Sequence, residues 1–126
     1  MNGCFIVGCD GETHASIERL TAFILEGPLA DVQLTLQTPF PGTPLRRCLE
    51  REGRLLADRD WPYYTLFDVT YQPDRMAVEE LETAFASLLP VVYSPAACNR
   101  RNEIRRAIWR NNPSLHRCES ALSFDI

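Results

Sequence analysis

The 126 residues predict an α/β chain: strand, helix, parallel strand, helix, and then a mostly helical C-terminal stretch. Three patterns carry that expectation. Residues 4–9, CFIVGC, form a short apolar run of β-formers bounded by Gly3 and by Asp10 and Gly11, the mark of a strand buried on both faces. Ile17, Leu20 and Ile24 recur at three- and four-residue steps, the period of an amphipathic helix. In residues 31–37, DVQLTLQ, Val32, Leu34 and Leu36 alternate with Gln33, Thr35 and Gln37, as in a strand with one polar face. A strand–helix–strand unit makes a right-handed crossover and leaves its strands parallel.

The ends of these elements are marked by their own residues. Thr13 is the expected N-cap of the first helix, and Gly27 and Pro28 end it. Residues 38–44, TPFPGTP, hold three prolines and a glycine, which makes a shaped loop. The second helix has Thr43 at its N-cap, Pro44 at the first helical position, where a missing amide costs nothing, and Gly53 just past its end. Leu45, Cys48 and Leu49 mark its buried face. Residues 57–75 carry Trp61, Tyr63, Tyr64, Phe67 and Tyr71 among Pro62 and Pro73. They read as an irregular aromatic connector with a short extended piece at 67–72, and the rings need a surface to pack on. From Val78, a third helical stripe runs through Leu81, Ala84, Phe85, Leu88 and Val92, and Pro90 should end or kink it. Ser94 and Pro95 repeat the cap-plus-proline signal. Ile104 and Ile108 carry a fourth helix that stops before Pro113, and residues 114–126 are expected to fray.

Composition bounds the class. Hydrophobic residues make up 45% and charged ones 24%, ordinary globular usage that excludes collagen-like, mucin-like and wholly disordered chains. No apolar run approaches the roughly 20 residues of a membrane-spanning helix. The N-terminus lacks the basic region of a signal peptide, so a cytoplasmic protein is expected. The net charge of −4 hides an asymmetry: residues 1–95 carry seven Arg against fourteen acids, residues 96–126 six Arg against three. No nucleic-acid motif or interleaved aromatics accompany the basic tail, which reads as a solvated helix face. Five cysteines at irregular spacings, with no CxxC pair, read as reduced thiols. His116 and Cys118 are too sparse to build a zinc site.

Several chemistries drop out. Gly3 and Gly8 are spaced like the start of a phosphate loop, but Gly8 is followed by Cys9 and Asp10, without the lysine and hydroxyl that hold phosphate and magnesium. No serine sits in a nucleophile elbow near His14 or His116. Residues 9–13 and 38–43 are more informative, because they leave the C-terminal ends of the strands, where α/β folds place ligands. Gly8 permits close approach to the backbone, Asp10 and Glu12 lie beside a helix N-terminus, and Phe40 stands on a proline-stiffened wall. Together they form one side of a pocket, or simply two shaped loops. Asp10 and Glu12 are a carboxylate pair available for acid–base work, although acids are also favoured there by the helix dipole.

At these residues a family resemblance appears. Residues 3–13, GCFIVGCDGET, followed by 38–45, TPFPGTPL, and 52–56, EGRLL, resemble the end of a radical S-adenosylmethionine enzyme. The resemblance is closest to the group that often carries a cobalamin-binding domain, including hopanoid methylases and anaerobic cyclase-like proteins. It covers nearly all of the chain, and residues 61–113 are similar to that group's helical C-terminal extension. The resemblance implies that residues 1–56 are the last two βα units of a partial barrel and residues 57–126 the extension. It further implies that Ile6 packs near the adenine of S-adenosylmethionine, that Gly8 keeps the strand end open for it, and that Glu12 occupies an acidic position more structural than catalytic. Gln37 and Thr38 would meet the adenosine or the substrate. Cys9 stands where the family usually has an aromatic residue.

The larger departure concerns the iron–sulfur cluster. The family holds a 4Fe-4S cluster on a CxxxCxxC loop, and the cluster cleaves S-adenosylmethionine to a 5′-deoxyadenosyl radical; this chain contains no such motif. It is therefore expected to be inactive alone, as a split subunit, a truncated product or the result of a misplaced start at Met1. Two parallel strands also leave unpaired edges. The expected partner is a separately encoded N-terminal half, or a second copy joined through those edges. The alternative is a stand-alone α/β module that binds a protein through its strand edge and aromatic connector.

Overall fold

Strand β1 (Asn2–Val7) and strand β2 (Asp31–Leu36) lie parallel, Asn2 opposite Asp31 and Val7 opposite Leu36, joined by helix α1 (His14–Glu26). Helices α2 (Pro44–Arg51), α3 (Val78–Val92) and α4 (Pro95–Arg110) follow, with a 3-10 turn at Trp61–Tyr63. Over the described residues the chain is thus α/β, two parallel strands with four helices. This computed structural model describes residues 1–112; the tail expected to fray, with His116 and Cys118, lies outside the described residues.

The local signals act where the sequence put them. Thr13 accepts from the Ser16 amide while the Ser16 hydroxyl accepts from the Thr13 amide, a reciprocal cap that fixes the start of α1. Thr43 caps α2 through the Arg46 amide, with Pro44 next to it. Gly53 takes φ +67°, which turns its own amide to Glu50 and that of Arg54 to Leu49 and satisfies the last carbonyls of α2. Ser94 caps α4 through Ala97.

One face of the sheet carries the core. Val7, Val32, Leu34 and Leu36 are buried with Ile17 and Ile24 of α1 and with Val78, Leu81, Phe85, Leu88 and Val92 of α3; Val69 and Met76 of the connector complete the cluster. Phe5 and Leu20 are partly buried against it. β1 departs from the expectation: it starts at Asn2, and it is not buried on both faces. Cys4 is exposed and Ile6 is 58% exposed. The run is apolar throughout, but α1 and α3 cover only one side of it.

Two helices also differ from expectation. Pro90 does not end α3, which runs on to Val92; in the last turn a proline removes a single helical amide and the helix can absorb it. In α4 the buried residue is Arg101, whereas Ile108 is 43% exposed. The Arg101 guanidinium donates to the Val92 carbonyl at 2.7 Å and lies over the Tyr93 ring. Arg100 donates to the carbonyls of Leu25, Glu26 and Gly27, closing the C-terminus of α1. Arg101 is thus a buried joint of the fold, and Arg100, although exposed, ties α4 to the end of α1.

Candidate functional site

The C-terminal ends of β1 and β2 lie side by side, so the loops that follow them form one rim, tied together where the Gln37 amide donates to the Val7 carbonyl at 2.8 Å. Gly8, directly after β1, has φ +97°, a conformation few L-residues adopt. That twist lets its amide donate to the Glu12 carboxylate at 2.6 Å, while its carbonyl accepts the hydroxyl of the fully buried Tyr71. A side chain at position 8 would run into the Tyr71 hydroxyl and come within 3.1 Å of Leu81. The space that glycine leaves is therefore filled by Tyr71.

The rest of the β1 loop is held from the later part of the chain. Arg54 makes two hydrogen bonds to Asp10, at 2.6 and 3.2 Å, and also binds Glu52 and the Gln72 carbonyl. Asp74 accepts the Gly11 amide on both oxygens, at 3.0 and 3.1 Å. Residues 54–56 and 70–72 pair through Leu55 and Tyr71, with Leu56 donating to Thr70 and Gln72 to Arg54, and this short antiparallel piece delivers both Arg54 and Tyr71. The extended piece expected at 67–72 is thus realised at its end.

The electrostatics follow from these contacts. Hydrogen bonds from Arg54 hold the Asp10 carboxyl below its ordinary range. Burial, and then the negative charge around Cys9, Glu12 and Asp10, pushes the Tyr71 phenol well above its usual value and keeps it a neutral donor. Partial desolvation of its sulfur, with Glu12 and Asp10 nearby, raises Cys9. The shift favours the protonated thiol at Cys9. Asp10 and Glu12 are both engaged as loop ties, one with a guanidinium and one with a backbone amide.

Beyond β2, Thr38 is buried and its hydroxyl turns back to the Leu36 carbonyl at 3.2 Å. Phe40 lies against Tyr64, which stacks on Trp61 and receives a hydrogen bond from Arg46 at 2.8 Å. Part of the connector thus packs on the β2 loop. Trp61 and Phe67 remain 68% and 58% exposed.

The residues singled out from the sequence therefore fall into two groups. Ile6 stands on the open face of the sheet with Asn2, Cys4, Asp31, Gln33 and Thr35, and Gln37 follows directly after β2, partly buried. Gly8, Glu12 and Thr38 stand at the strand ends and are occupied by contacts within the chain. The open face joins one apolar side chain, Ile6, to amide and hydroxyl groups on Gln33 and Thr35. It does not suit an iron–sulfur cluster. Cys4, Cys9, Cys48 and Cys98 are free, and among the described residues no three His, Cys, Asp or Glu side chains gather as a metal-holding group. In the sequence nothing assigns Arg54, Tyr71 and Asp74 a role in the rim: Arg54 stands in the 52–56 segment and Tyr71 in the aromatic connector, but neither pattern says that they reach back to the β1 loop.

Among the described residues no single helix is long and apolar enough to cross a membrane. No family model matches the chain. It is 28% identical over 109 residues to a bacteriochlorophyllide d C-12(1)-methyltransferase of Chlorobaculum tepidum, a span that makes up 86% of this chain and 23% of that protein.

Proposed function

We propose that the chain is the closing portion of a radical S-adenosylmethionine methyltransferase, in which residues 1–56 supply the last two βα units of a partial barrel and residues 57–126 the C-terminal extension. The observation that carries this reading is the uncovered, largely polar face of a parallel sheet whose other face packs on α1 and α3. A parallel sheet is ordinarily covered on both sides. The identity to a methyltransferase more than four times as long as the shared span supports the same reading.

In the completed enzyme the open face lines the barrel. Ile6 packs on the adenine of S-adenosylmethionine and the Gln37 amide hydrogen-bonds the adenosine, while Gly8, Glu12 and Thr38 hold the strand ends that form the rim. Bound S-adenosylmethionine supplies the methyl group or its reactive precursor; this chain's own residues bind and orient it. The cluster ligands come from the remainder of the enzyme, which acts in the cytoplasm and uses cobalamin if the parent belongs to that subgroup. A tetrapyrrole or a lipid is the substrate class.

The test is binding of S-adenosylmethionine to the chain alone and to the chain co-expressed with the remaining portion of the Chlorobaculum tepidum methyltransferase. Saturable binding in the assembly alone, weakened by Gln37→Ala, supports the reading. Saturable binding by the isolated chain, or none in an assembly that forms, contradicts it. A stand-alone module that binds a protein through its strand edge and aromatic connector is favoured by the exposed Trp61 and Phe67, and under that reading neither preparation binds the cofactor.

A further inference from the structure

Four arginines between residues 46 and 75 sit against carboxylates: Arg46 on Glu50, Arg54 on Asp10 and Glu52, Arg59 on Glu82, and Arg75 beside Asp74. Helix α4 is built differently. It holds five arginines and a single acid, Glu103, and among the described residues none of the five forms an ion pair. Two of them serve the fold, Arg100 at the end of α1 and Arg101 at the Val92 carbonyl. Arg105, Arg106 and Arg110 remain, all exposed; Arg105 donates to the Asn102 side chain, and Arg106 and Arg110 make no hydrogen bond among the described residues.

These three share one side of the helix with Trp109. At about 3.6 residues per turn, Arg105, Trp109, Arg106 and Arg110 follow one another around an arc of roughly 140°, and together they line an open hollow of about 430 Å³. The hollow continues into a second of about 300 Å³, where Arg105 and Trp109 meet Ile108, Ala30 and Met1 at the N-terminal ends of the strands. Met1 is 79% exposed, Ile108 43% and Trp109 38%. Apolar side chains thus stand uncovered among unpaired guanidiniums, at the end of the sheet opposite the rim.

That mixture sorts the occupants. A nucleic-acid backbone uses the arginines but leaves Met1 and Ile108 idle. An apolar protein surface covers Met1 and Ile108 but strips water from three unpaired charges. An anionic bilayer uses both sets: the aliphatic and indole groups enter the headgroup boundary, and the arginine stems follow while their guanidiniums stay among the lipid phosphates.

We propose that this face, Met1 with residues 105–110 of α4, docks the chain on an anionic phospholipid bilayer, lying on its surface without spanning it. The inference does not rest on the fragment reading. It concerns the other end of the sheet, leaves the rim clear, and is tested on the chain alone.

The test is co-sedimentation of the full chain with vesicles of phosphatidylglycerol in phosphatidylcholine, and with vesicles of phosphatidylcholine alone, at rising salt. Saturable binding to the first, little to the second, and release by salt are expected. Combining Arg105→Gln, Arg106→Gln and Arg110→Gln weakens binding about 100-fold, at roughly fivefold for each arginine. A control with the same loss of charge, Arg19→Gln, Arg47→Gln and Arg51→Gln on the exposed surfaces of α1 and α2, binds like the parent chain. In Trp61→Phe, where Trp109 is the one indole left, emission shifts to the blue on binding and is quenched by brominated acyl chains. Absence of binding, equal binding to neutral vesicles, equal loss in both triple variants, or an unquenched Trp109 overturns the proposal. Capture of duplex DNA without vesicle binding assigns the patch to nucleic acid and overturns it too. Should the α4 triple variant lose its fold by circular dichroism, quenching of Trp109 in the Trp61→Phe chain decides.

Discussion

The two faces of this sheet are built from the same twelve strand residues and have opposite fates. Phe5, Val7, Val32, Leu34 and Leu36 point to α1 and α3 and enter the core, while Cys4, Ile6, Gln33 and Thr35, their immediate neighbours, lie toward solvent. A strand of period two presents both sets at once, so burial here is decided by which side has helices. Stability resides on the first face and, on the present account, binding resides on the second.

The largest effect that sharpens this contrast is a paired truncation across one backbone step. Leu34→Ala removes a side chain that is 2% exposed and is expected to destabilise the chain by about 2–5 kcal/mol. Gln33→Ala, on the open face, is expected to change stability by no more than about 0.5 kcal/mol. Urea denaturation of the two variants checks both, and comparable losses would mean that the open face is part of the core.

The rim gives the next effect. Gly8→Ala forces an L-residue to φ +97° against Tyr71 and should cost on the order of 1–3 kcal/mol from the backbone alone. Tyr71→Phe leaves the Gly8 carbonyl without its donor, at about 1–3 kcal/mol. The buried phenol has a raised pKa, so its contribution is complete below the ordinary value of 10.0 and is lost as pH rises beyond it, when the unfolded chain ionises and the folded one does not. Thermal melts across alkaline pH should therefore fall more steeply for the parent chain than for Tyr71→Phe.

The smallest effect belongs to Asp10. Its carboxyl is held low by Arg54, so the pair stabilises the fold above the ordinary value of 3.8 and loses that contribution as pH falls through the lower folded value. Asp10 is largely solvated, and Asp10→Asn is expected to cost about 0.2–1 kcal/mol at pH 7. The difference from the parent should vanish in acid, which melts at pH 7 and pH 2.5 will compare.

What the sequence made legible was local. The caps at Thr13, Thr43 and Ser94, the turn at Gly53 and the alternation through Val32, Leu34 and Leu36 depend on neighbours a few residues away, and each appears where it was expected. The bare face of β1 was not legible, because six apolar residues in a row do not say which side lacks a covering layer. The rim was half legible: Gly8 and Glu12 stood out, but Tyr71 reaches Gly8 across 63 residues, and its aromatic ring reads no differently from the exposed Phe67. Arg101 reads like the other tail arginines, since nothing near it in sequence announces the Val92 carbonyl it satisfies.

The most direct measurement of the central claim is anaerobic reconstitution of the isolated chain with iron and sulfide, followed by incubation with S-adenosylmethionine and a reductant. The isolated chain is expected to give no cluster absorption and no 5′-deoxyadenosine, with both appearing when the complementary portion is supplied. A 4Fe-4S signal and cofactor cleavage by the chain alone would contradict that claim.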